Sequence, residues 1–286
     1  MKTALVETRR DLRCAPTLDG LADALSQLGY GVVRWRSDDL PADADIFVLW
    51  NGTHPIYDPM HATIRGRPTL FVELGWLPQD STFQLDHRGI NSEASWAQRP
   101  PSYTPSRHLP KRDGDLLVVL QDERDMQIRR PELSPYQQML PWLKLLRAKS
   151  HLPLRVRFHP KAHANPNVVM WLAAHTAVKI DQSDDLEDAM NGAAAVATIN
   201  STCGLEAIRA GLPVMCFGSA IYRVPYVCLP VEHGTDVAEW TQAIKDGATA
   251  LCPNAMGAFI GLVLEHQWTL DDLPHRLAKL LQGEQG

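Results

Sequence analysis

The chain has 286 residues, of which 45% are hydrophobic and 21% are charged, and its formal net charge is -5 at pH 7. The length fits one large domain or two modest ones, with ample apolar residues for a core. The mild negative charge argues against a protein that coats nucleic acid or an anionic membrane through bulk charge, while leaving room for a local basic groove.

The first part of the chain alternates apolar runs with helical patterns, which predicts a small α/β domain with a parallel sheet. The predicted strands span 3–6, 32–35, 45–50 and 69–72, and the predicted helices span 18–28 and 60–65. Such sheets bind ligands at the carboxyl ends of their strands, where Arg9, Asn51 and Glu73 fall. Arg9 and Asn51 fit ordinary polar loop residues equally well, whereas a charge directly after an apolar run, as at Glu73, indicates a specific role.

An irregular stretch follows from Leu74 to Lys111, and such stretches in compact proteins are usually functional or linkers. We interpret residues 74–96 as a loop that lines a cleft and residues 99–114 as the crossing between two domains. Trp76, in the first of these segments, offers stacking surface for a sugar or a base on the acceptor side.

Strands and helices alternate again beyond this crossing and predict a second α/β domain, so we place the domains at 1–110 and 111–286. The predicted strands span 115–120, 154–158, 178–180, 193–199, 213–217 and 226–229. The predicted helices span 134–150, 165–175, 186–190, 205–210, 237–248 and most of 255–281, the last of which can pack back on the first domain. Two Rossmann-like α/β domains facing a cleft form the GT-B arrangement of nucleotide-sugar glycosyltransferases, and this is the predicted fold class.

The stretch from Ile199 to Tyr222 has the pattern of a strand, a hydroxyl-capped helix, a glycine stop and a second strand. This pattern predicts one βαβ unit of a parallel sheet. Ser201 and Thr202 stand where free backbone N–H groups and the helix dipole favour a phosphate, and Glu206 is one turn further along, within reach of a ribose. An ordinary helix cap explains the serine and the threonine as well.

Four segments together resemble a known family. They are FVELGWLPQDSTFQLDHRGIN (71–91), VLQDERDMQI (119–128), RFHP (157–160) and INSTCGLEAIRAGLPVMCFGSAIYRVP (199–225). In this order they are similar to the capsular-polysaccharide biosynthesis glycosyltransferases, the β-Kdo transferase-like group. The likeness covers much of residues 70–225, and the first strands of the chain do not share it.

The resemblance implies a role for several residues of this chain. Asp125 corresponds to the catalytic nucleophile of the retaining members, Glu73 to an acid/base on the acceptor side and His159 to a histidine near the donor phosphate. The residues that it implies for donor binding are Gln121, Ser201, Thr202, Glu206, Gly218 and Tyr222. Apart from the resemblance, Asp125 fits a solvated charge after a strand and His159 fits a turn residue before proline.

The chemistry of glycosyl transfer agrees with these residue types. Its oxocarbenium-like transition state needs a carboxylate near the anomeric carbon and a group that handles the acceptor proton. A histidine and a helix N-terminus can neutralise the departing phosphate without a metal. Asp43 and Asp45 match an Asp-x-Asp metal signature in letters but stand at the start of a strand, and the histidines lack the spacing of zinc ligands. We therefore predict a metal-independent enzyme with no cofactor besides its nucleotide-sugar co-substrate.

The acceptor and the function class leave alternatives open. The resemblance implies a surface glycan as the acceptor. A hydroxymethylated pyrimidine in DNA is an alternative, because phage-type DNA glycosyltransferases also have GT-B folds and arginines such as Arg13 and Arg34 flank the first strands. A third alternative, from a different class, is a non-catalytic module that binds a nucleotide or a glycan.

The cysteines and the hydropathy predict the compartment. Five cysteines are scattered without a CxxC pair, which favours buried reduced thiols. The N-terminus is too polar for a signal peptide, and no apolar stretch approaches the roughly 18 residues that span a bilayer. The sequence thus predicts a cytoplasmic protein without a membrane span.

Overall fold

The computed structural model describes residues 1–8, 13–35, 44–50, 67–97, 102–103, 109–125, 128, 136–161 and 164–283. The chain divides into two compact units, of which the first combines Met1–Pro100 with Val263–Gly286 and the second is Pro101–Leu262. Arg9, Asn51 and the helix predicted at 60–65 lie outside the described residues.

The regular elements of the described residues are numbered in chain order. The strands are β1 (Lys2–Glu7), β2 (Tyr30–Trp35), β3 (Ile46–Trp50), β4 (Thr69–Leu74), β5 (Phe83–Asp86), β6 (Asp115–Val119), β7 (Leu154–Arg157), β8 (Lys179–Ile180), β9 (Ala193–Thr198), β10 (Val214–Cys216) and β11 (Leu229–Pro230). The helices are α1 (Ala15–Gln27), α2 (Met139–Lys149), α3 (Pro166–Ala174), α4 (Leu186–Met190), α5 (Cys203–Arg209), α6 (Gly234–Asp246), α7 (Pro253–His266) and α8 (Leu273–Gln282).

The sheet of the first unit has the order β2-β1-β3-β4-β5, with β5 antiparallel to β4 and the other pairs parallel. Successive side chains of a strand point to opposite faces, so β1 contributes to two clusters of core residues. Ala4 and Val6 pack in the cluster that includes apolar residues of α1 and α8, and Leu5 packs with Phe47 in the other. Both faces of the sheet are thus apolar, as a parallel α/β sheet requires.

The interpretation of residues 74–96 as a loop is wrong for 83–86, which form the antiparallel strand β5. Gly75 allows this strand to approach β4, since a Cβ at Gly75 would lie 2.6 Å from the carbonyl carbon of Thr82. Phe83 exchanges two backbone hydrogen bonds with Trp268, at 2.9 and 2.8 Å, so the outer edge of β5 is paired at this position. The alternation of apolar and polar residues here spans four positions, the shortest pattern that indicates a strand, and it lies within an irregular stretch.

The sheet of the second unit is parallel throughout and has the order β11-β10-β9-β6-β7-β8. From β8 to β11, the strands of this unit follow the order 3-2-1-4-5-6, which is that of the doubly wound α/β fold. The direction of winding reverses between β6 and β9, and in such sheets the carboxyl ends at the reversal open a crevice for a ligand. The prediction of two Rossmann-like α/β domains is confirmed.

Two elements near the C-terminus differ from their predicted bounds. The strand predicted at 226–229 is β11 (Leu229–Pro230), because Tyr226 has a φ of +67° and lies in a turn. The helical region predicted at 255–281 is two helices, α7 and α8, separated by the segment that pairs with Phe83.

All five cysteines are free thiols, and all except the half-buried Cys203 are buried. Within the described ranges, no helix combines the length and the apolar character that crossing a membrane requires.

Candidate functional site

Gln121 and Asn200 join the carboxyl ends of β6 and β9 at the reversal of the strand order. The amide nitrogen of Gln121 donates to Oδ1 of Asn200 at 2.9 Å, and the backbone N–H of Asn200 donates to Oε1 of Gln121 at 3.0 Å. The buried hydroxyl of Thr198 donates to the same Oε1 at 3.4 Å. Gln121, which was assigned to donor binding, therefore uses its amide to fix the two strand ends that border the crevice.

The turn before α5 carries the hydroxyls of Ser201 and Thr202. The Ser201 hydroxyl accepts the backbone N–H of Cys203 at 3.2 Å, while the Thr202 side chain makes no capping hydrogen bond. The N–H groups of Gly204 and Leu205 bond to the carbonyls of Ser201 and Thr202. The expectation of free N–H groups is thus wrong for these three positions, and the polar groups that the turn presents to a ligand include the two hydroxyls.

Tyr222 supports this turn through a hydrogen bond and a close ring contact. Its ring is 1% exposed, and its hydroxyl donates to the Ser201 carbonyl at 2.8 Å. Burial raises the pKa of Tyr222 well above its usual value. A Cβ at Gly204 would lie 2.5 Å from the ring, so only glycine admits this packing. Gly218 is buried as well, and its N–H donates to the Ile199 carbonyl at 2.8 Å.

A tight turn after β6 carries three carboxylates in different settings. Asp122 pairs with Arg124 through two hydrogen bonds of 3.0 and 2.8 Å, and this contact lowers the Asp122 pKa to about 2. Glu123 accepts the backbone N–H of Met139 at 2.7 Å and the Asn165 amide at 2.8 Å, which ties the turn to the starts of α2 and α3. Asp125, whose N–H donates to the Asp122 carbonyl at 2.8 Å, is exposed.

A cavity of about 400 Å³ lies in the second unit between the carboxyl ends of β6 and β7 and the starts of α2 and α3. Its polar lining residues are Gln121, Asp122, Glu123, Arg124, His159 and Asn165. Its apolar lining residues are Leu120, Met139, Phe158, Ala164, Pro166 and Val168. The candidate residues Gln121 and His159 thus border one cavity.

His159 is half-buried, and the hydrogen bond that it accepts sets its neutral tautomer. Its Nδ1 accepts the backbone N–H of Lys161 at 3.2 Å. In the neutral ring the proton is therefore on Nε2, which makes His159 a hydrogen-bond donor to a ligand. Asp122 is near enough for the charge of a protonated His159 to help lower the Asp122 pKa, after the larger effect of Arg124.

Glu206 lies on α5, half-buried, one turn from Thr202. Burial raises the pKa of its carboxyl above the usual value, and the nearby Arg209 partly opposes this. A half-buried carboxyl in the first turn of this helix can accept hydrogen bonds from ligand hydroxyl groups.

The acceptor-side candidates in the described part of the first unit lie on and after β4. Glu73 is half-buried within β4, opposite Gln84 of β5, and its Oε1 accepts the N–H of Leu74 at 2.8 Å. Trp76 is only 2% exposed, and its ring packs edge-on against Trp96 with the centroids 5.4 Å apart. Trp76 thus helps to support this region, and little of its ring surface is accessible to a ligand.

Sequence reasoning missed two charged groups at strand ends. Glu7 ends β1, is 2% exposed and accepts the N–H of Trp50 at 2.7 Å. It follows an apolar run as Glu73 does, so the same signal would have found it. At the end of β7, Arg157 donates to the buried Asp181 at 2.5 Å; sequence alone gave no signal for this pairing across strands. Across the described ranges, no group of three or more His, Cys, Asp and Glu side chains is arranged to hold a metal ion.

The family model described as capsule polysaccharide biosynthesis protein matches residues 87–230. That range is half of the chain and contains the turn after β6, His159 and the stretch from Ile199 to Tyr222. Protein FixF of Sinorhizobium fredii (strain NBRC 101917 / NGR234) is 25% identical over an alignment that covers 82% of this chain. The chain spans 59% of the length of that protein.

Two solved structures from Thermosulfurimonas dismutans share the fold. KpsC, beta Kdo 2,7 transferase, superposes with a TM-score of 0.56 at 15% identity and covers 98% of this chain and 99% of that chain. KpsC, beta Kdo 2,4 transferase, superposes with a TM-score of 0.52 at 18% identity and covers 87% of this chain and 90% of that chain. At these identities the likeness shows the fold, and the predicted GT-B fold class is confirmed.

Proposed function

Because the chain belongs to the family of capsule polysaccharide biosynthesis proteins, we infer that it is a glycosyltransferase of the capsule-biosynthesis type. We propose that it transfers a sugar from a nucleotide-sugar to a glycan hydroxyl, without a metal ion and with retention of the anomeric configuration. The observation that carries this proposal is that the family match contains three separate segments whose polar residues end strands β6, β7 and β9 of one sheet.

The second unit is the proposed donor-binding part. The Ser201 and Thr202 hydroxyls are suited to phosphate oxygens, and Nε2–H of His159 supplies a further donor. Glu206 is suited to accept hydrogen bonds from ribose hydroxyls. Hydrogen bonds aimed at the departing phosphate stabilise the negative charge that develops on it in the transition state.

Asp125 is the proposed nucleophile. Its carboxylate attacks the anomeric carbon, the bond to the phosphate oxygen breaks, and the nucleotide leaves with the bonding electrons. The acceptor oxygen then attacks the same carbon and releases the Asp125 carboxylate, so two inversions retain the configuration. Support comes from its position, because Asp125 is exposed in the turn directly after β6 and lies within the range that the family model matches.

Glu73 is the proposed base that takes the proton of the acceptor hydroxyl. The solved relatives are described as Kdo transferases, so a Kdo-containing glycan is the first acceptor and Kdo the first donor sugar to test. No comparison supports DNA as the acceptor, and a glycan is the acceptor proposed here. A cytoplasmic location is part of this proposal and follows from the scattered cysteines.

A screen of CMP-, UDP-, GDP- and dTDP-linked sugars tests the proposal. A bound donor at a hundredfold excess over its Kd stabilises the protein by about 2.7 kcal/mol, which raises Tm. We expect one nucleotide class to raise Tm, nucleotide to be released with and without EDTA, and the product to keep the anomeric configuration by NMR. Stabilisation without turnover, even with glycan acceptors, would favour the non-catalytic module, and neither stabilisation nor turnover would overturn the proposal.

A further inference from the structure

We infer that Gln84 is a positioning residue for Glu73, the proposed base for the acceptor hydroxyl. The inference deepens the proposed function and rests on it, since it adds one residue to the same site. In this role Gln84 does not touch the substrate. It holds the backbone next to Glu73 and keeps a neutral group beside the Glu73 carboxyl.

Gln84 and Glu73 are directly opposite each other in the antiparallel pair of β4 and β5. Residues opposed in this way have their side chains on the same face of the sheet, with Cβ atoms about 4.5–5.5 Å apart. Gln84 is 3% exposed, whereas Glu73 is half-buried. The neighbour of the proposed base on the β5 side is thus a buried amide.

The side chains of Glu73 and Gln84 bind the two backbone polar groups of Leu74. Glu73 Oε1 accepts the Leu74 N–H at 2.8 Å, and Gln84 Nε2 donates to the Leu74 carbonyl at 2.8 Å. Because both bonds converge on one residue, a change at Gln84 is transmitted through Leu74 to the backbone next to the base.

The Gln84 amide makes two further hydrogen bonds, both with Asn91. Nε2 of Gln84 also donates to Oδ1 of Asn91 at 3.0 Å, and Oε1 of Gln84 accepts the Asn91 N–H at 2.7 Å. Only an amide side chain supplies two N–H donors and a carbonyl acceptor at once. An ionised glutamate at this position would supply acceptors alone, so the contacts specify glutamine.

Asn91 connects the Gln84 amide to the buried Trp76. Its backbone has a φ of +52°, in the left-handed region that asparagine adopts more readily than most other residues with a side chain. Its Oδ1 accepts the Trp76 Nε1–H at 3.4 Å. Residues in this region persist where their surroundings hold them, and they cluster at functional sites. Gln84 therefore belongs to a fixed support behind the proposed base.

The charges around this face of the sheet give a neutral side chain at position 84 its importance. The register places two other strand carboxyls on the same face, Glu7 of β1 and Asp86 of β5. The segment after β5 adds the exposed His87 and Arg88 and the half-buried Glu93. A further negative charge, directly opposite the base, would disfavour its ionised form and so its capacity to take a proton.

Gln84→Glu tests the inference, because it keeps the shape of the side chain and places a carboxyl beside the base. Gln27→Glu, which adds the same charge at the exposed C-terminal end of α1, is the matched control. Steady-state kinetics with the donor from the screen and a Kdo-containing glycan give kcat/KM for the acceptor as a function of pH. We expect the acid limb of the Gln84→Glu profile to move upward by about one pH unit. Gln27→Glu should keep the wild-type profile.

Gln84→Met provides a second variant, since it removes the hydrogen bonds without adding a charge. It should lower kcat/KM for the acceptor by about tenfold, because a slightly misplaced catalytic group is costly, and leave the pH profile in place. The donor Kd, measured by calorimetry, should change by less than about twofold, within the range of ordinary substitutions away from a site. Circular dichroism gives the folded fraction by which each rate is corrected.

Glu73→Gln separates a failure of the inference from a failure of the proposed function. If Glu73→Gln loses transfer while both Gln84 variants keep the wild-type kcat/KM and pH profile, the inference is overturned and the proposed function stands. A loss in Gln84→Met that disappears after correction for the folded fraction, with an unshifted profile in Gln84→Glu, would make Gln84 a purely structural residue and also overturn it. Full activity of Glu73→Gln would contradict Glu73 as the base and the inference with it. A wild-type protein that neither binds nor consumes any donor would contradict both proposals.

Discussion

Gln121 and Asn200 are 79 positions apart in the chain and exchange two hydrogen bonds between the ends of β6 and β9. The pairing gives hydrogen-bond partners to the Gln121 amide and to the backbone N–H of Asn200 at the base of the crevice. Because Asn200 precedes Ser201, the same pairing fixes where the hydroxyl turn begins.

Gln121→Ala should therefore destabilise the protein and weaken donor binding together. The substitution leaves the Asn200 N–H and the Thr198 hydroxyl without their acceptor, and an unsatisfied buried polar group costs about 1–3 kcal/mol. Urea denaturation measures the loss in the free energy of unfolding. Gln182→Ala, at an exposed position, is the control and should change little. Equal stability of the two variants would show that the pairing is not structurally important.

Asp125→Asn should abolish sugar transfer and leave donor affinity nearly intact, because a neutral amide cannot act as the nucleophile. We expect kcat to fall by a factor of about 10³ or more, and the Kd of the donor to change only slightly. Steady-state kinetics and calorimetry separate the two effects. Asp122→Asn is the matched control from the same turn and should keep most of the activity. Full activity of Asp125→Asn would rule out this residue as the nucleophile.

Gly204→Ala should disturb the turn before α5, since the added Cβ would meet the Tyr222 ring at 2.5 Å. Overpacking of this kind costs about 1–3 kcal/mol, and donor affinity should fall with it. Tyr222→Phe keeps the ring, removes the hydrogen bond to the Ser201 carbonyl and should cost about 1 kcal/mol.

The control for this pair is Gly257→Ala in α7, where the added Cβ has no neighbour within 4 Å. In a helix this exchange should stabilise by about 0.5–1 kcal/mol. Thermal or urea unfolding compares the three variants. Stabilisation by Gly204→Ala would show that the ring contact does not constrain the turn.

The stability of the wild-type protein should depend on pH through Glu206. Burial raises the folded-state pKa above the usual value of 4.5, so the folded state holds this proton more tightly than the unfolded state. The Glu206 contribution is therefore lost as pH rises from the usual pKa through the folded one. Glu206→Gln does not titrate, so the urea midpoint of this variant should rise relative to that of the wild type as the pH increases above 4.5. A constant difference would contradict the raised pKa.

Arg124→Gln should return the Asp122 pKa from about 2 toward its usual value of 3.8, because the Arg124 hydrogen bonds are the largest cause of the shift. An NMR titration of the Asp122 carboxyl carbon measures this directly. Lys161→Gln, which removes the charge of an exposed lysine two residues after His159, is the control. If Arg124→Gln leaves the Asp122 pKa unchanged, the lowered value has another origin.

The elements of the second unit could be predicted well from the sequence, because long apolar runs alternate with helical patterns there. The segment 186–190 was predicted as a helix, and α4 has those bounds. The first unit was harder, since β5 is short, antiparallel and follows an irregular stretch. Its edge pairing with Trp268 joins residues 185 positions apart, which no local pattern reveals.

The candidate site could be predicted in outline and not in its contacts. Motifs identified the segments that end β6, β7 and β9, yet the functions of side chains within them depend on partners from other segments. The resemblance implied Tyr222 as a donor-binding residue, and the structure adds that its ring packs on Gly204 and its hydroxyl donates to the Ser201 carbonyl. Glu123 had no assigned role, because its two partners, Met139 and Asn165, are distant in the chain.

The division of the chain also bears on the order in which its parts are completed during synthesis. The second unit is one continuous segment, Pro101–Leu262, whereas the first needs Val263–Gly286. Leu273 and Leu277 of α8 belong to the core cluster that contains Leu18 of α1. On the ribosome, part of the apolar surface of the N-terminal sheet therefore stays uncovered until residues 263–286 emerge, by which time the whole sequence of the second unit has been made.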